Sequence, residues 1–229
     1  MQDPQINRLI YGKNSIEKIV GAEVSDSTVE LFIQQPDGSV KSEFKPHKYW
    51  LVAHKALDRD FLPLQGNQFY KYIKQYNSRD RWLDDRSRYY RNSTFSIYNP
   101  VEAAQCKYGF TFFKGLKPED VTTLSFDIES TTLQHTPDAK VLIISNTLQK
   151  NGIRTRKMFC YDEYSSQREM IEDWCKWVRE VDPSVLTPFN GFGFDLPYLA
   201  FCVEQEGGHL ELGRDNSVMK IDTKESHFR

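Results

Sequence analysis

Between residues 19 and 53 apolar and polar positions alternate: Val29, Leu31 and Ile33 are spaced by two, and Val40 and Phe44 resume the pattern after Pro36-Asp37-Gly38. A period of two puts successive side chains on opposite faces, so this stretch predicts β-strands joined by a turn. After Pro46 the run Tyr49-Trp50-Leu51-Val52-Ala53 is apolar without a break and reads as a buried strand. Beyond Pro118-Glu119-Asp120 the pattern changes. Strands are predicted over 121–126, 141–145 and 153–161, then a helix opened by Ser166 with Glu169 three residues on, a capping-box spacing. That helix carries Ile171, Trp174, Cys175 and Val178 on one face and ends near Asp182-Pro183. Val185-Leu186-Thr187 is a short strand, and a second helix begins after Asp195 and ends near Gly207-Gly208 with Leu199, Cys202 and Val203 inward. The order predicts an α/β domain with a mixed sheet over residues 119–229, preceded by a β-rich α+β domain over residues 1–118.

Composition narrows the class. The chain has 229 residues, 39% hydrophobic and 14% aromatic, enough to build a core. No run approaches the roughly 18 apolar residues of a membrane span, and Met1-Gln2-Asp3-Pro4 lacks a secretory layout, so a cytoplasmic protein with no membrane partner is expected. Cys106, Cys160, Cys175 and Cys202 form no CxxC pair and are expected to be reduced and mostly buried. The net charge of −2 conceals an asymmetry: residues 1–118 carry 18 Lys+Arg against 13 Asp+Glu, residues 119–229 carry 12 against 19. A basic half suits a polyanion and an acidic half suits cations, although scattered surface charge gives the same figures.

Two stretches bear on chemistry. From Phe69 to Arg91, Tyr70, Tyr72, Tyr76, Trp82, Tyr89 and Tyr90 are interleaved with Lys71, Lys74, Arg79, Arg81, Arg86, Arg88 and Arg91. Rings stack on bases while cations meet phosphates, so the pattern suits single-stranded nucleic acid, and equally a solvated helix with a few core aromatics. In the second half, Asp127-Ile128-Glu129 ends the first strand, where the two acids project together and Ile128 faces the core. Hard divalent cations prefer such oxygens, yet most acids so placed are merely solvated. Asp195 follows the glycine-rich turn Asn190-Gly191-Phe192-Gly193-Phe194 and precedes Leu196-Pro197, so it is either a third acid or a helix N-cap. Because ligand sites in α/β sheets lie beyond the carboxyl ends of strands, the two elements together suggest a site for two Mg²⁺ or Mn²⁺ ions about 3.5–4 Å apart.

Leu124-Ser125-Phe126-Asp127-Ile128-Glu129-Ser130 resembles the first exonuclease motif of family B DNA polymerases, and Phe189 to Leu199 resembles the second, with Asp195 standing 66 residues after Glu129. The likeness covers about residues 119–215 well, rests on the strand from Pro46 to Ala53 for the first domain, and is phage-like in style. It implies an RNase H-like 3′→5′ proofreading exonuclease fold. Carried over, Asp127 bridges both metals, Glu129 binds one and orients the attacking water, and Asp195 holds the other. Asn190 positions the 3′-terminal nucleotide, and Phe194 supports the site or packs near the terminal base. DNA is then the partner, as single-stranded 3′ end and as template, with Arg79, Arg81, Arg86, Arg88 and Arg91 as contacts.

The family's third motif, Tyr, three residues, Asp, does not appear before Arg229: Tyr161 and Tyr164 lie too early, and Asp222 has no tyrosine four positions before it. The expectation is an incomplete site, weak or inactive alone, that needs a further segment or polymerase polypeptide. The alternative is a DNA-binding or assembly module without catalysis.

Overall fold

The computed structural model describes residues 15–66, 69–92 and 94–219; Met1 to Pro4 and Asp222, read above, lie outside them. The chain divides into two compact units, Met1–Gln35 with Val40–Leu116, and Pro36–Ser39 with Lys117–Arg229.

In the first unit β1 (Ile19–Ser25), β2 (Thr28–Gln34) and β3 (Val40–Pro46) form an antiparallel sheet in that order. The predicted alternation is realised: Val29 and Leu31 are fully buried and pack with Ile19, Ala104 and Phe110. A second sheet contains β4 (Tyr49–Ala53), β5 (Leu62–Pro63), β6 (Tyr72–Tyr76) and β7 (Thr94–Phe95), ordered β5-β6-β4-β7. One of its faces is closed by α1 (Arg79–Arg88), whose Trp82 is buried with Tyr49, Leu51, Ala53, Phe61 and Tyr76. Helix α2 (Pro100–Tyr108) begins where Asn99 accepts from the N–H groups of Val101 and Glu102, with proline in the first turn, where no amide partner is needed. Its end is set by Gly109 at φ 69°, a left-handed conformation that glycine adopts without a Cβ clash.

A charged cluster ties α1 to the sheet. Lys74 Nζ lies 2.7 Å from Asp58 Oδ2 and 2.7 Å from Asp85 Oδ2. The Tyr76 hydroxyl donates to Asp85 and the Tyr89 hydroxyl to Asp58. The run of alternating rings and cations is thus split by the fold: Tyr76 and Trp82 are core, and Lys74 is paired.

The second unit is built on β8 (Thr123–Ser130), β9 (Val141–Lys150), β10 (Ile153–Cys160) and β11 (Val185–Leu186), ordered β10-β9-β8-β11. β8 pairs antiparallel with β9 and parallel with β11, so the sheet is mixed. The first strand runs further than the sequence suggests, carrying its pairing through Glu129 opposite Ile143 before an irregularity between Glu129 and Ser130. The acids therefore sit within the strand, because β9 is long enough to pair with them. α3 (Gln167–Val181) and α4 (Leu196–Gln205) cover one face, with Met170, Ile171, Trp174, Cys175 and Val178 meeting Leu199, Cys202 and Val203 over Leu124, Phe126 and Ile144. Ser166 caps α3 by accepting from Glu169 N at 3.0 Å, but the Glu169 carboxylate reaches one residue further back, to Ser165 N. Inside this core Asn146 is fully used: its amide nitrogen donates to Ile144 O and Lys157 O, and its oxygen accepts from Trp174 Nε1 at 2.9 Å. All four cysteines are free thiols; Cys175 and Cys202 are buried, whereas Cys160 is half-buried and Cys106 exposed, so burial holds for two of the four. Burial pushes the Cys175 thiol up to about 12 and Cys202 up to about 11, which makes both unreactive.

Candidate active site

The odd-numbered positions of β8 form its open side. Ser125, Asp127 and Glu129 are exposed, while Leu124, Phe126 and Ile128 are buried against the helices. Sequence alternation places the two acids on one face, and the structure keeps them there. β8 is paired along both edges near this point: Asp127 stands opposite Ser145 of β9, and Thr187 N donates to Leu124 O at 2.9 Å on the other side. Ser125 Oγ adds a bond to Thr187 O at 3.0 Å. A groove of about 570 Å³ opens here, lined by Ser125, Asp127, Ser145, Thr147, Arg156 and Met158 among others. Arg156 was not singled out from the sequence; its place two strands from Asp127 follows from the β9–β10 register, Arg156 opposite Thr147 and Thr147 opposite Ser125.

Asp195 reaches the site from the other element. Residues Gly191–Asp195 form one wide π-helical turn, closed by Asp195 N donating to Asn190 O, and α4 follows directly. This turn depends on small residues. A Cβ on Gly191 would lie 2.0 Å from Pro188 Cγ, and one on Gly193 2.4 Å from Asn190 Oδ1. Asp195 is helical in its backbone (φ −58°, ψ −52°) and makes no side-chain capping bond to α4. The N-cap alternative is not realised. Instead its Oδ2 accepts from Asn190 N at 3.2 Å, inside the turn, and the residue is buried.

Electrostatics links the two elements. Burial raises the Asp195 carboxyl above its ordinary value; the Asn190 N–H opposes this, and the negative charge of Asp127 raises it further. Neither Asp127, Glu129 nor Asp195 forms an ion pair with a described Lys, Arg or His. A buried carboxylate raised by the charge of a second one, with no described cation paired to it, offers hard oxygens of the kind that divalent cations prefer. Among the described residues no three His, Cys, Asp or Glu side chains are grouped closely enough to enclose a metal. Asp127 and Asp195 are thus brought into electrostatic contact, and Glu129 stands one alternate position along the same strand without closing the set.

The remaining expected residues are placed as follows. Phe194 is half-buried, packed on the core with its ring centroid 5.1 Å from Tyr198. The rings that face water on either side of Asn190 are Phe189 and Phe192, 97% and 80% exposed. Both sit in the quoted motif, yet periodicity says nothing of which ring a π-turn throws outward. On α1, Arg79 and Arg86 are seven residues apart and share one stripe, as do Arg81 and Arg88, but the two stripes lie about 200° apart around the helix. Arg86 stacks over Tyr98, 4.9 Å from the ring centroid, and Arg88 reaches Asp85 at 3.5 Å. The five arginines do not form one surface, and Arg91 lies beyond the helix.

Residues 99–229 match the family model described as DNA polymerase family B, exonuclease domain. A DNA polymerase of Pyrococcus glycovorans is 40% identical over 120 residues, covering 47% of this chain and 15% of that protein. One from Thermococcus sp. (strain 9oN-7) is 37% identical over 127 residues, covering 50% and 16%. The chain therefore spans about a sixth of the length of these curated relatives. The solved structure of the family B DNA polymerase from the hyperthermophilic archaeon Pyrobaculum calidifontis aligns over 89% of this chain and 34% of that one, with a TM-score of 0.60 at 15% identity, a likeness of fold. These relatives are archaeal, and the phage style expected from the motifs has no counterpart among them. No helix among the described residues is long and apolar enough to cross a membrane.

Proposed function

The chain belongs to the family of DNA polymerase family B exonuclease domains, and from that premise we propose that residues 119–229 contribute the first two motifs of a two-metal 3′→5′ exonuclease that trims single-stranded DNA ends in the cytoplasm. The observation that carries this reading is the buried Asp195 carboxyl, raised by burial and by Asp127, with no described cation beside it. Asp127, Glu129 and Asp195 would hold Mg²⁺ or Mn²⁺. Such ions, when bound, generate hydroxide from water near neutral pH and stabilise the leaving oxygen.

The chain's own residues supply the positioning. β8, paired with β9 at Asp127 and with β11 as far as Leu124, holds Asp127 in place, and the Asn190 N–H fixes the oxygen of Asp195. Arg156, across the groove from Asp127, offers a charge for a phosphate of the strand. Asn190 positions the 3′-terminal nucleotide, Phe189 and Phe192 present faces on which an unpaired base stacks, and Phe194 braces the turn from behind. Arg79, Arg81, Arg86, Arg88 and Arg91 contact DNA phosphates as two separate stripes plus one residue beyond the helix, so the salt slope of binding should fall by about one for each phosphate contact removed. A further polymerase segment or polypeptide completes the ligand set, and without it cleavage is slow.

Titrating Mn²⁺ into the wild type and Asp127→Ala, followed by calorimetry, tests the site. The wild type should bind and the variant should not, while both melt alike in EDTA. Equal Mn²⁺ affinity in the two proteins would remove the basis for the nuclease assignment. Hydrolysis of a 3′-labelled oligonucleotide should rise when a polypeptide carrying Tyr-x-x-x-Asp is added.

A further inference from the structure

Two Asn-Gly pairs occur in the chain, Asn151-Gly152 and Asn190-Gly191. In such a pair the backbone nitrogen of the second residue can attack the side chain of the first, and glycine, lacking a Cβ, leaves that approach open. The chemistry written in the sequence is the same at both. The fold separates them. Asn151 stands in the turn between β9 and β10 at φ 51°, followed by Gly152 at φ 74°, and the strands pair right up to it, Ile153 opposite Lys150. Its side-chain amide donates to Asp37 O at 3.4 Å, so side chain and backbone are both tied.

Asn190 is bound differently. Its backbone makes the contacts: the N–H donates to Asp195 Oδ2 at 3.2 Å, and the carbonyl accepts from Phe194 N at 2.7 Å and Asp195 N at 3.3 Å. Its carboxamide is exposed, and among the described residues it makes no hydrogen bond; the Gly191 N–H likewise donates to none. The side chain lies over the turn, with Oδ1 2.4 Å from the place where Gly193 would carry a Cβ. Electrophilic carbon and nucleophilic nitrogen are thus neighbours in the chain, both unengaged, at a surface where water is at hand.

We propose that Asn190-Gly191 is a self-modification site through which the element carrying Asp195 ages. The Gly191 nitrogen gives up its proton and bonds to Asn190 Cγ; the Cγ–Nδ2 bond breaks, and Nδ2 leaves with that proton as ammonia. Water then opens the five-membered succinimide. Attack at Cγ yields aspartate, and attack at the former backbone carbonyl yields isoaspartate, in which the chain runs through Cβ and Cγ. Either product sets a new carboxylate beside Asp195, a like charge that disfavours the ionised form of its neighbour. Isoaspartate does more: the carbonyl that closes the π-turn becomes a free carboxylate, and the backbone of the turn gains a methylene. The consequence for the acidic site rests on the metal reading given above; the modification does not.

The test is peptide mass mapping of the whole chain after incubation in EDTA at mildly alkaline pH. Trypsin releases residues 180–214, in which Asn190 is the only asparagine, and residues 151–154, which hold Asn151. In the folded chain peptide 180–214 should gain one mass unit several times faster than peptide 151–154. Part of the product should accept a methyl group from a methyltransferase specific for isoaspartate. The rate should climb with pH, because the attacking nitrogen must lose its proton. In urea the two peptides should convert at like rates, since only the fold distinguishes them. Asn190→Gln should leave peptide 180–214 at its starting mass, because the longer side chain closes the ring far more slowly. A peptide 180–214 that keeps its mass while 151–154 converts, equal rates in the folded chain, or a gain that persists in Asn190→Gln overturns the proposal. Because the readout is mass and no metal is present, failure here leaves the Mn²⁺ titration untouched, and a failed titration leaves the modification standing.

Discussion

Replacing Lys74 by methionine keeps the length and apolar stem of the side chain and deletes the charge that two carboxylates share. The ammonium is 13% exposed and Asp85 12%, with both N–O distances at 2.7 Å, so this is a largely desolvated cluster. Removing one partner of such a cluster costs about 3–5 kcal/mol, because the opposite charges stay buried without compensation. Two features favour the lower end. Arg88 remains 3.5 Å from Asp85, and Asp58 is 27% exposed and retains the Tyr89 hydroxyl at 2.8 Å. In a unit of roughly 110 residues, about 3 kcal/mol corresponds to a fall of about 12 °C in melting temperature.

The pH dependence supplies a second reading. Burial alone would raise the Asp58 carboxyl, but the Lys74 ammonium, the Tyr89 hydroxyl and the Asp60 N–H together hold it below the usual carboxylate value. A depressed carboxyl contributes stability above its unfolded value of 3.8, and loses it as the pH falls through the lower folded value. The gap between wild type and Lys74→Met should therefore be full at pH 7 and shrink below about pH 4. Melting followed by near-ultraviolet circular dichroism, which reports the packing of the buried Trp82, reads this out. Asp58→Asn added to Lys74→Met should recover part of the loss. A single variant that melts within about 2 °C of wild type, or a gap that does not narrow in acid, would refute the account.

Asp195→Asn should melt higher than wild type by a few degrees at pH 7 in EDTA: a raised carboxyl is comfortable only below its ordinary value and loses stability as pH climbs through the folded one, a penalty the amide lacks. The same variant should gain nothing from added Mn²⁺ in the melt, whereas the wild type should be stabilised. Gly191→Ala should destabilise the second unit by about 1–3 kcal/mol and lower any nuclease activity more than its melting temperature suggests, because the new Cβ must displace Pro188 and with it the turn that aims Asp195. Trp174→Phe deletes the buried bond to Asn146 Oδ1, leaving an amide oxygen of β9 unpaired in the core, and should cost about 1–3 kcal/mol in urea unfolding. Ser166→Ala removes the α3 cap and should cost about 1 kcal/mol in the same assay.

Much of the fold could be read from spacing alone. The alternation of Val29 and Leu31, the helical stripe through Ile171, Trp174 and Val178, and the Ser166 cap depend on near neighbours, and all are realised. The pairing of Asp127 and Glu129 on one face is equally local. What spacing left open were matters that distant residues decide. Asp195 before Leu196-Pro197 reads equally well as a cap, and only the π-turn, closed by Asn190, turns its carboxylate inward. Arg156 enters the groove through a two-strand register that its own neighbours do not encode. The ring-rich stretch from Phe69 to Arg91 reads equally as a single-strand surface or as a solvated helix with a few core aromatics, and a strand, a turn and a helix distribute it: Tyr76 and Trp82 inward, Lys74 into an ion cluster, Tyr70 onto the far side of the sheet.

The two-letter rhythm of β8 sets a rule for how this segment can change. Lengthening it by one residue anywhere before Asp127 would exchange the two rows, sinking the acids among Trp174 and Leu199 and turning Phe126 and Ile128 out to water, so that fold and chemistry would fail together. Past Glu129 the constraint lifts. The slip in pairing before Ser130 already shows where the strand absorbs an irregularity, one step beyond Glu129. Insertions there should be tolerated, and those upstream should survive only in pairs.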